Sequence, residues 1–514
     1  MENKYISPRT SIGLSGGICL SDKRPIFYSA LLLTGVNLLL RLISTGFQVY
    51  LSGAIGAEGI GLLQLVLSVG MLAMTAAMGG IRTATMYLCA DAIGQRQPGK
   101  LRKVLFACTI YSLLISFTVS TLLYIFAPQI AALWIGHIEV LPALRLYCVF
   151  LPISCLCGVM TGYYTAAGRI GTMAAVEIGE QFFSMGVTLS CLLLFPHSAA
   201  DACRFVILGS GAGATFTLLC LFLLAKIPEE ESPAPVLRKL LDTAVPLALA
   251  DDLKAGISTT ENLMVPKRLA LYPGAGNPLA SFGVVCGMVF PVLMFPAAIL
   301  FALAELLIPE LARCAAAGSK RRIPYLSRRS LYVALLYGCF FGGLMFLIAE
   351  PLCLALYDSQ EAGQYLRLYA LLIPMLYTDA ITDAMTKGLG QQKANVRYNI
   401  FTSFLDVVFL FLLLPRYGMG GYFFSFLVTH LINFLLSLRR LVKITGLRLN
   451  YKKAVLSLLC AVIAVLICTL CPGSIVKGLL YIPAFFALLL LFGVLKKGDF
   501  LWLKKLISNK KEGV

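Results

Sequence analysis

Leu144-Arg145-Leu146-Tyr147 returns as Leu366-Arg367-Leu368-Tyr369, 222 residues further along the chain. The same interval carries Pro152 onto Pro374 and Gly168 onto Gly390. An interval one residue longer carries Pro128 onto Pro351 and Trp134 onto Tyr357. Chance produces a single four-residue match, but not one with proline and glycine in register around it. Long apolar stretches flank both copies. The sequence therefore reads as two copies of one membrane-embedded unit, the build of many secondary transporters, whose pathway runs between the copies.

Composition agrees. The 514 residues are 59% hydrophobic and 13% charged, whereas a soluble domain carries about 25% charged residues. Apolar runs of about 20 residues recur, each long enough to cross the hydrocarbon core. At that depth the backbone must satisfy its own hydrogen bonds, so the runs are expected to be helices; they are too long and too evenly apolar for barrel strands. The expected fold is an all-α polytopic membrane protein of about fourteen spans. Hydropathy places them near 27–51, 60–92, 101–127, 140–165, 171–195, 203–226, 237–263, 279–313, 324–349, 364–390, 393–415, 419–442, 453–471 and 476–495. Gly53, Gly56, Gly59 and Gly61 crowd the turn between the first two spans, and the Gly79-Gly80 pair is a candidate break in the second. Pro291 and Pro296 interrupt the eighth span, and Pro152 and Pro374 fall at matching points of the fourth and tenth.

On this assignment 33 of the 43 Lys and Arg residues lie on the side of the N-terminus. That asymmetry predicts cytoplasmic N- and C-termini and an even number of spans in the cell membrane. The net charge of +18 is spread over many loops, which fits anionic lipid headgroups and not nucleic acid. Residues 1–26 read as a cytoplasmic tail and 496–514 as a basic one, with no cleavable signal peptide. The longest outer loops are 264–278 and 350–363, too small to house a membrane glycosyltransferase or ligase site. No P-loop is present. The 16 cysteines and three histidines show no metal-ligand spacing, so neither metal nor other cofactor is expected. A transporter, and not an enzyme, is the expected class.

A charge inside a span costs about 2.5–3.5 kcal/mol on insertion scales, so each needs a reason. Arg41 lies midway along the first span and Arg82 in the inner half of the second. Glu177 and Glu180 share one face of the fifth. Asp251, Lys254 and Glu261 mark the seventh; Glu305 and Glu310 lie near the inner end of the eighth. Asp379, Asp383 and Lys387 form a stripe along the tenth, and Asp406 is deep in the eleventh. Two readings stay open. In one, Arg41, Arg82, Glu180, Asp251, Lys254, Asp379 and Asp383 surround a wet substrate-binding cavity. In the other, the charges pair internally, as Asp383 with Lys387 and Asp251 with Lys254. The acidic stripe is absent from the first copy, where Cys157 and Thr161 stand, so the fold itself does not require it.

Arg41 followed by Gly56-Ala57-Glu58-Gly59-Ile60-Gly61-Leu62 resembles the multidrug, oligosaccharidyl-lipid and polysaccharide exporter superfamily. So does the segment from Glu261-Asn262-Leu263-Met264-Val265-Pro266-Lys267-Arg268-Leu269 through Gly287 to Ile308-Pro309-Glu310-Leu311-Ala312, and so does Lys387-Gly388-Leu389-Gly390-Gln391. Within it the chain is similar to a sporulation subgroup of polysaccharide-biosynthesis flippases. The resemblance implies two six-helix lobes around a central cavity, an N-lobe over 27–226 and a C-lobe over 237–442. Two extra helices over 453–495 follow. It also implies flipping of an undecaprenyl-linked glycan, such as a peptidoglycan precursor, by alternating access, in contact with cell-wall synthesis proteins. Arg41 matches a cavity arginine of the related flippases by position; at the next such position Phe47 and Gln48 stand instead. The rival readings are a cation-coupled multidrug extruder of the same fold and a non-transporting scaffold for wall-synthesis enzymes. The scaffold predicts that every intramembrane charge is paired and that no cavity exists.

Overall fold

The structure is a computed structural model that describes residues 24–95, 98–196, 198–225, 237–319 and 321–495. Nearly all of the expected N-terminal tail, the basic tail 496–514 and Lys320 lie outside these residues. All regular secondary structure among the described residues is helical. Helix α1 (Arg24–Met78) is 55 residues long and bends at Gly56 (φ 69°). The expected Gly-rich turn is thus a kink within one helix. Gly79 and Gly80 both take positive φ and do break the second span, after which α2 (Ile81–Gly94) resumes. Helices α3 (Pro98–Gln129), α4 (Leu141–Ala166), α5 (Ile170–Leu194) and α6 (Ala199–Leu223) pack with α2 and α1. Helix α7 (Leu237–Leu269) leads into the second group.

The eighth span is broken as its prolines predict. It comprises α8 (Pro278–Gly283), a π-helical turn Val284–Val289, α9 (Phe290–Met294) and α10 (Ala297–Ala316). The two parts meet at 63°. Helices α11 (Arg322–Tyr357), α12 (Gln360–Ala370) and α13 (Ile373–Gly388) pack together, and α14 (Gln392–Thr445) breaks at Gly418 (φ 56°). The last pair, α15 (Tyr451–Thr469) and α16 (Ser474–Leu491), leans on α11. Each of the fourteen hydropathy ranges overlaps helix among the described residues. By length and apolarity alone eight helices among the described residues qualify as spans, or nine if the bent pair counts as one. Two of those stretches, Leu38–Gly94 and Gln392–Thr445, run to 57 and 54 residues, where about 20 residues suffice for one crossing.

The repeat is visible in individual contacts. Arg145 lies over the ring of Tyr124 at 5.1 Å, and Arg367 lies over the ring of Phe346 at 4.7 Å; both partners are related by the same interval of 222. Gly168 and Gly390 are both left-handed and end α4 and α13 with the same bonds. Arg169 N–H donates to Tyr164 O and Gln391 N–H to Thr386 O; Gly168 N–H donates to Thr165 O and Gly390 N–H to Lys387 O. These are glycine C-caps.

The two copies also wind differently at the ends of α3 and α11, where the interval is briefly one residue longer. After α3 the first copy winds as a π-helix over Ile130–Ile135, and Gly136 N–H reaches back five residues to Ala131 O. In the second copy Asp358 N–H reaches back four residues to Leu354 O, and Asp358 is the only described non-glycine residue with positive φ. Between the matched pairs Tyr124/Phe346 and Gly136/Asp358 both copies have the same number of residues, so the two differ here in winding and not in length.

Helix prolines leave carbonyls four residues earlier without a donor, and side chains from neighbouring helices supply one. Pro152 frees Cys148 O, which accepts from the Ser120 hydroxyl. Pro291 frees Gly287 O, which accepts from Gln48 Nε2 at 3.2 Å. Pro415 frees Phe411 O, which accepts from Arg268 at 2.8 Å. Around the break at Pro296, Tyr377 donates to Leu293 O and Tyr337 to Pro296 O, both at 2.7 Å. In the second copy, residue 342 is glycine where the first has Ser120, and a Cβ there would lie 3.2 Å from Ala370 O. Ser120→Ala is expected to cost about 1–3 kcal/mol, because Cys148 O is left buried and unpaired. Thermal unfolding in detergent should show it. Adding Pro152→Ala should recover most of the loss, since an N–H at 152 can then reach Cys148 O; no recovery would rule this account out.

Candidate functional site

The two groups of helices meet along α1. At one end they are in backbone contact. A Cβ on Gly61 would lie 2.2 Å from Leu279 O, and one on Gly283 would lie 2.0 Å from Ala57 O, so both positions require glycine. Hydrogen bonds cross the same seam. Asn277 Nδ2 donates to Glu58 at 2.9 Å, and further along α1 Thr259 and Asn262 of α7 donate to Ser68 O and Oγ at 3.0 and 2.9 Å.

Beyond Ser68 the groups part. A cavity of about 450 Å³ opens between α1, α2 and α7, lined by Met71, Met74, Met78, Arg82, Asp251 and Lys254 among others. The structure thus brings together three residues singled out in the sequence, Arg82, Asp251 and Lys254. Arg82 sits in the first turn of α2, placed there by the glycine break, and also borders a second cavity of about 170 Å³ inside the first copy. That cavity is lined by Ser154, Cys157 and Thr161 of α4, Glu177 and Glu180 of α5, and Thr217 of α6. Thr217 donates to Glu180 at 2.7 Å. Gly213 on α6 leaves the room that the Glu180 stem uses, since a Cβ there would lie 3.2 Å from Glu180 Cγ.

Arg41 lines neither cavity. It is half-buried on α1, its guanidinium carbon 5.0 Å from the centre of the Phe301 ring of α10. Among the described residues no carboxylate lies within ion-pair distance of Arg41. Gln48, two turns on, holds the carbonyl freed by Pro291 and so occupies itself with the fold.

Asp379 and Asp383 are also away from both cavities. The expected wet stripe is instead packed between α13 and α14. Asn433 donates to Asp379 and Asn395 to Asp383, each at 3.3 Å. Asp379 Oδ1, Asn395 Oδ1 and Asn433 Oδ1 are buried with no hydrogen-bond partner. The expected ion pairs of Asp383 with Lys387 and of Asp251 with Lys254 are not formed within 4 Å, although the fields of Lys387 and Lys254 both reach Asp383. Glu310 does pair, with Arg313 at 3.1 Å and Arg322 at 2.7 Å. Two acids noted only as span charges form a further buried group: Asp406 accepts from Ser425 and Thr429, and Glu261 Oε1 is buried nearby without a partner.

The cavities and the unpaired arginine are what the scaffold reading said would be missing. Comparison with known proteins agrees. The model of the MatE family matches residues 33–194 and 270–412. The chain belongs to the MatE family. As a MatE protein it is a multi-pass membrane transporter of the exporter superfamily named above, and not an enzyme. Stage V sporulation protein B of Bacillus subtilis (strain 168) is 21% identical over 412 residues, 77% of this chain and 79% of that one. An inward-facing multidrug resistance MATE transporter superposes with a TM-score of 0.63 at 15% identity, covering 81% of this chain and 99% of that one. The lipid II flippase MurJ in an inward closed conformation gives 0.62 at 11% identity, covering 91% and 97%.

Proposed function

We propose that this MatE protein flips an undecaprenyl-linked oligosaccharide, a polysaccharide or peptidoglycan precursor, across the cell membrane by alternating access. The observation that carries the reading is the 450 Å³ cavity with Arg82 and Lys254 in its wall, which opens on one side of a seam closed at the other. A pyrophosphate needs cations in a low-dielectric site, and a guanidinium offers it a planar fork of donors. Met71, Met74 and Met78 line one wall with soft surface that adapts to a prenyl stem, while Asp251 and the hydroxyls of Thr75, Thr83 and Ser258 also line the cavity. The lobes that rock would be 27–226 and 237–442, with fourteen spans, and 453–495 as the added pair. The Lys/Arg-rich loops would face the cytoplasm and anionic headgroups. Similarity to stage V sporulation protein B supports a role in spore cortex synthesis, beside wall-synthesis proteins.

A cation-coupled extruder of the same fold is favoured by one observation, the buried Glu261–Asp406 group. One experiment separates the readings. The purified protein in proteoliposomes is expected to move a fluorescent prenyl-pyrophosphoryl disaccharide and not a lipophilic drug cation. The reverse preference, with activity lost in Asp406→Asn, would establish the extruder. Labelling of Ser319→Cys from outside intact cells would reverse the proposed orientation.

A further inference from the structure

We infer that the 170 Å³ cavity of the first copy is a subsite for a primary ammonium group, carried by the same ligand whose phosphate pairs with Arg82. This deepens the flippase reading and rests on it. The substrate class is then a lipid-linked glycan bearing a free amine, on an amino sugar or an amino-acid side chain.

The first argument is the supply of hydrogen-bonding groups. Every hydroxyl and thiol lining the cavity has its proton committed within the protein. Thr217 donates to Glu180 at 2.7 Å, Thr161 to Gly158 O at 3.1 Å, Ser154 to Phe150 O at 3.1 Å, and Cys157 to Ala214 O at 3.1 Å. Apart from Arg82, what remains toward the cavity is a set of acceptors: two carboxylates and the lone pairs of three hydroxyls. An ammonium group has three donors and no acceptor, so it is the complement of this lining.

The second is charge. Glu177 and Glu180 lie three residues apart on α5, and among the described residues Arg82 is the one cation lining the cavity. On the neighbouring helix α7, Asp251 and Lys254 line the larger cavity beyond it. Glu177 lies in the field of Arg82. When Arg82 turns to a phosphate in the larger cavity, Glu177 loses its counter-charge, which is costly away from water. A ligand cation entering at that moment restores the balance. Phosphate and ammonium binding are therefore linked, each favouring the other.

The third is volume. A space of about 170 Å³ is the share of about six waters. A proton needs no cavity and a dehydrated metal ion needs far less, whereas an aminomethyl or amino-sugar edge fits. In the second copy the acids stand on α13 and accept from Asn395 and Asn433, whereas the positions of Glu177 and Glu180 are taken by Asn399 and Thr402, so this pair of carboxylates belongs to the first copy alone.

The test uses the full-length protein in nanodiscs and two synthetic prenyl-pyrophosphoryl disaccharides that differ only in a free or N-acetylated amine. The wild type should bind the free amine about tenfold more tightly, the worth of one charge-assisted hydrogen bond. Glu177→Gln and Glu180→Gln should each bring the ratio toward one, and Thr161→Val should lower it without removing a charge. The ratio is internal to each variant, so a general loss of affinity does not mimic the effect. Equal affinity of the wild type for both lipids overturns the inference and leaves the flippase reading standing. Binding of neither lipid overturns both. A preference that survives both Glu→Gln variants, or that sodium erases where choline at equal ionic strength does not, also overturns it.

Discussion

Arg41→Ala is expected to lower flipping of a prenyl-pyrophosphoryl glycan by ~10–100-fold while leaving membrane insertion intact, the loss anticipated for one charge-assisted contact in a dry site. The reason is the environment of the guanidinium. It lies 5.0 Å from the Phe301 ring centre with no described carboxylate in ion-pair range. A guanidinium stacked on a ring keeps its edge donors free. A fixed cation of that kind, between α1 of one copy and α10 of the other, is what a phosphate crossing between the lobes would meet. Arg41→Lys should recover part of the activity, because an ammonium neither stacks as well nor makes the planar fork. Wild-type transport by Arg41→Ala would move the phosphate contact to Arg82 and Lys254 alone.

Gly283→Val should have an equally large effect by a different route. Even a Cβ at this position would stand 2.0 Å from Ala57 O and 2.6 Å from Gly61 N, so the seam cannot close around a branched side chain. A short bifunctional thiol reagent bridging Glu58→Cys and Asn277→Cys, whose native side-chain ends are 2.9 Å apart, should cross-link the parent readily. In the Gly283→Val background the yield should fall several-fold, and transport should stop because one of the two alternating states is lost. Unchanged cross-linking would mean that the seam is not what holds this state together.

Much of the architecture was open to reading because membrane helices carry their own punctuation. The doubled LRLY, the matched prolines and the glycine pair at 79–80 all act locally, through caps, missing donors and left-handed φ. Gly56 and Gly418 were harder. A glycine in an apolar helix has the same hydropathy whether it bends the chain or only packs, and four glycines within nine residues disguised which one bends. The site was legible residue by residue but not as an arrangement. Arg82 and Lys254 are each flagged by the cost of a charge in lipid, yet nothing in their positions says that α2 and α7 face one cavity. For Asp379 and Asp383 the sequence leaves cavity and internal pairing open, because their partners are amides. Asn395 and Asn433 quiet a carboxylate without leaving any charge in the sequence to betray the pairing. Asp406 and Glu261 escaped for the same reason, since serine and threonine hydroxyls complete that group.

The π-turn at Ile130–Ile135 sets a rule for anyone recombining the two copies. One added residue turns everything beyond it by about 100° around the helix axis. A chimera spliced before the turn and one spliced after it would differ in helical phase, although the sequences at the two junctions look alike. Exchanging α3 for α11 with the junction at Pro128 and Pro351 adds one residue after the matched ring positions Tyr124 and Phe346 and should present the wrong face of the following segment to α4, whereas a junction at Gly136 and Asp358, where the interval is 222 again and the left-handed caps coincide, keeps the faces aligned. The two halves are copies in outline, but their parts interchange only at joints where the winding has already been reset.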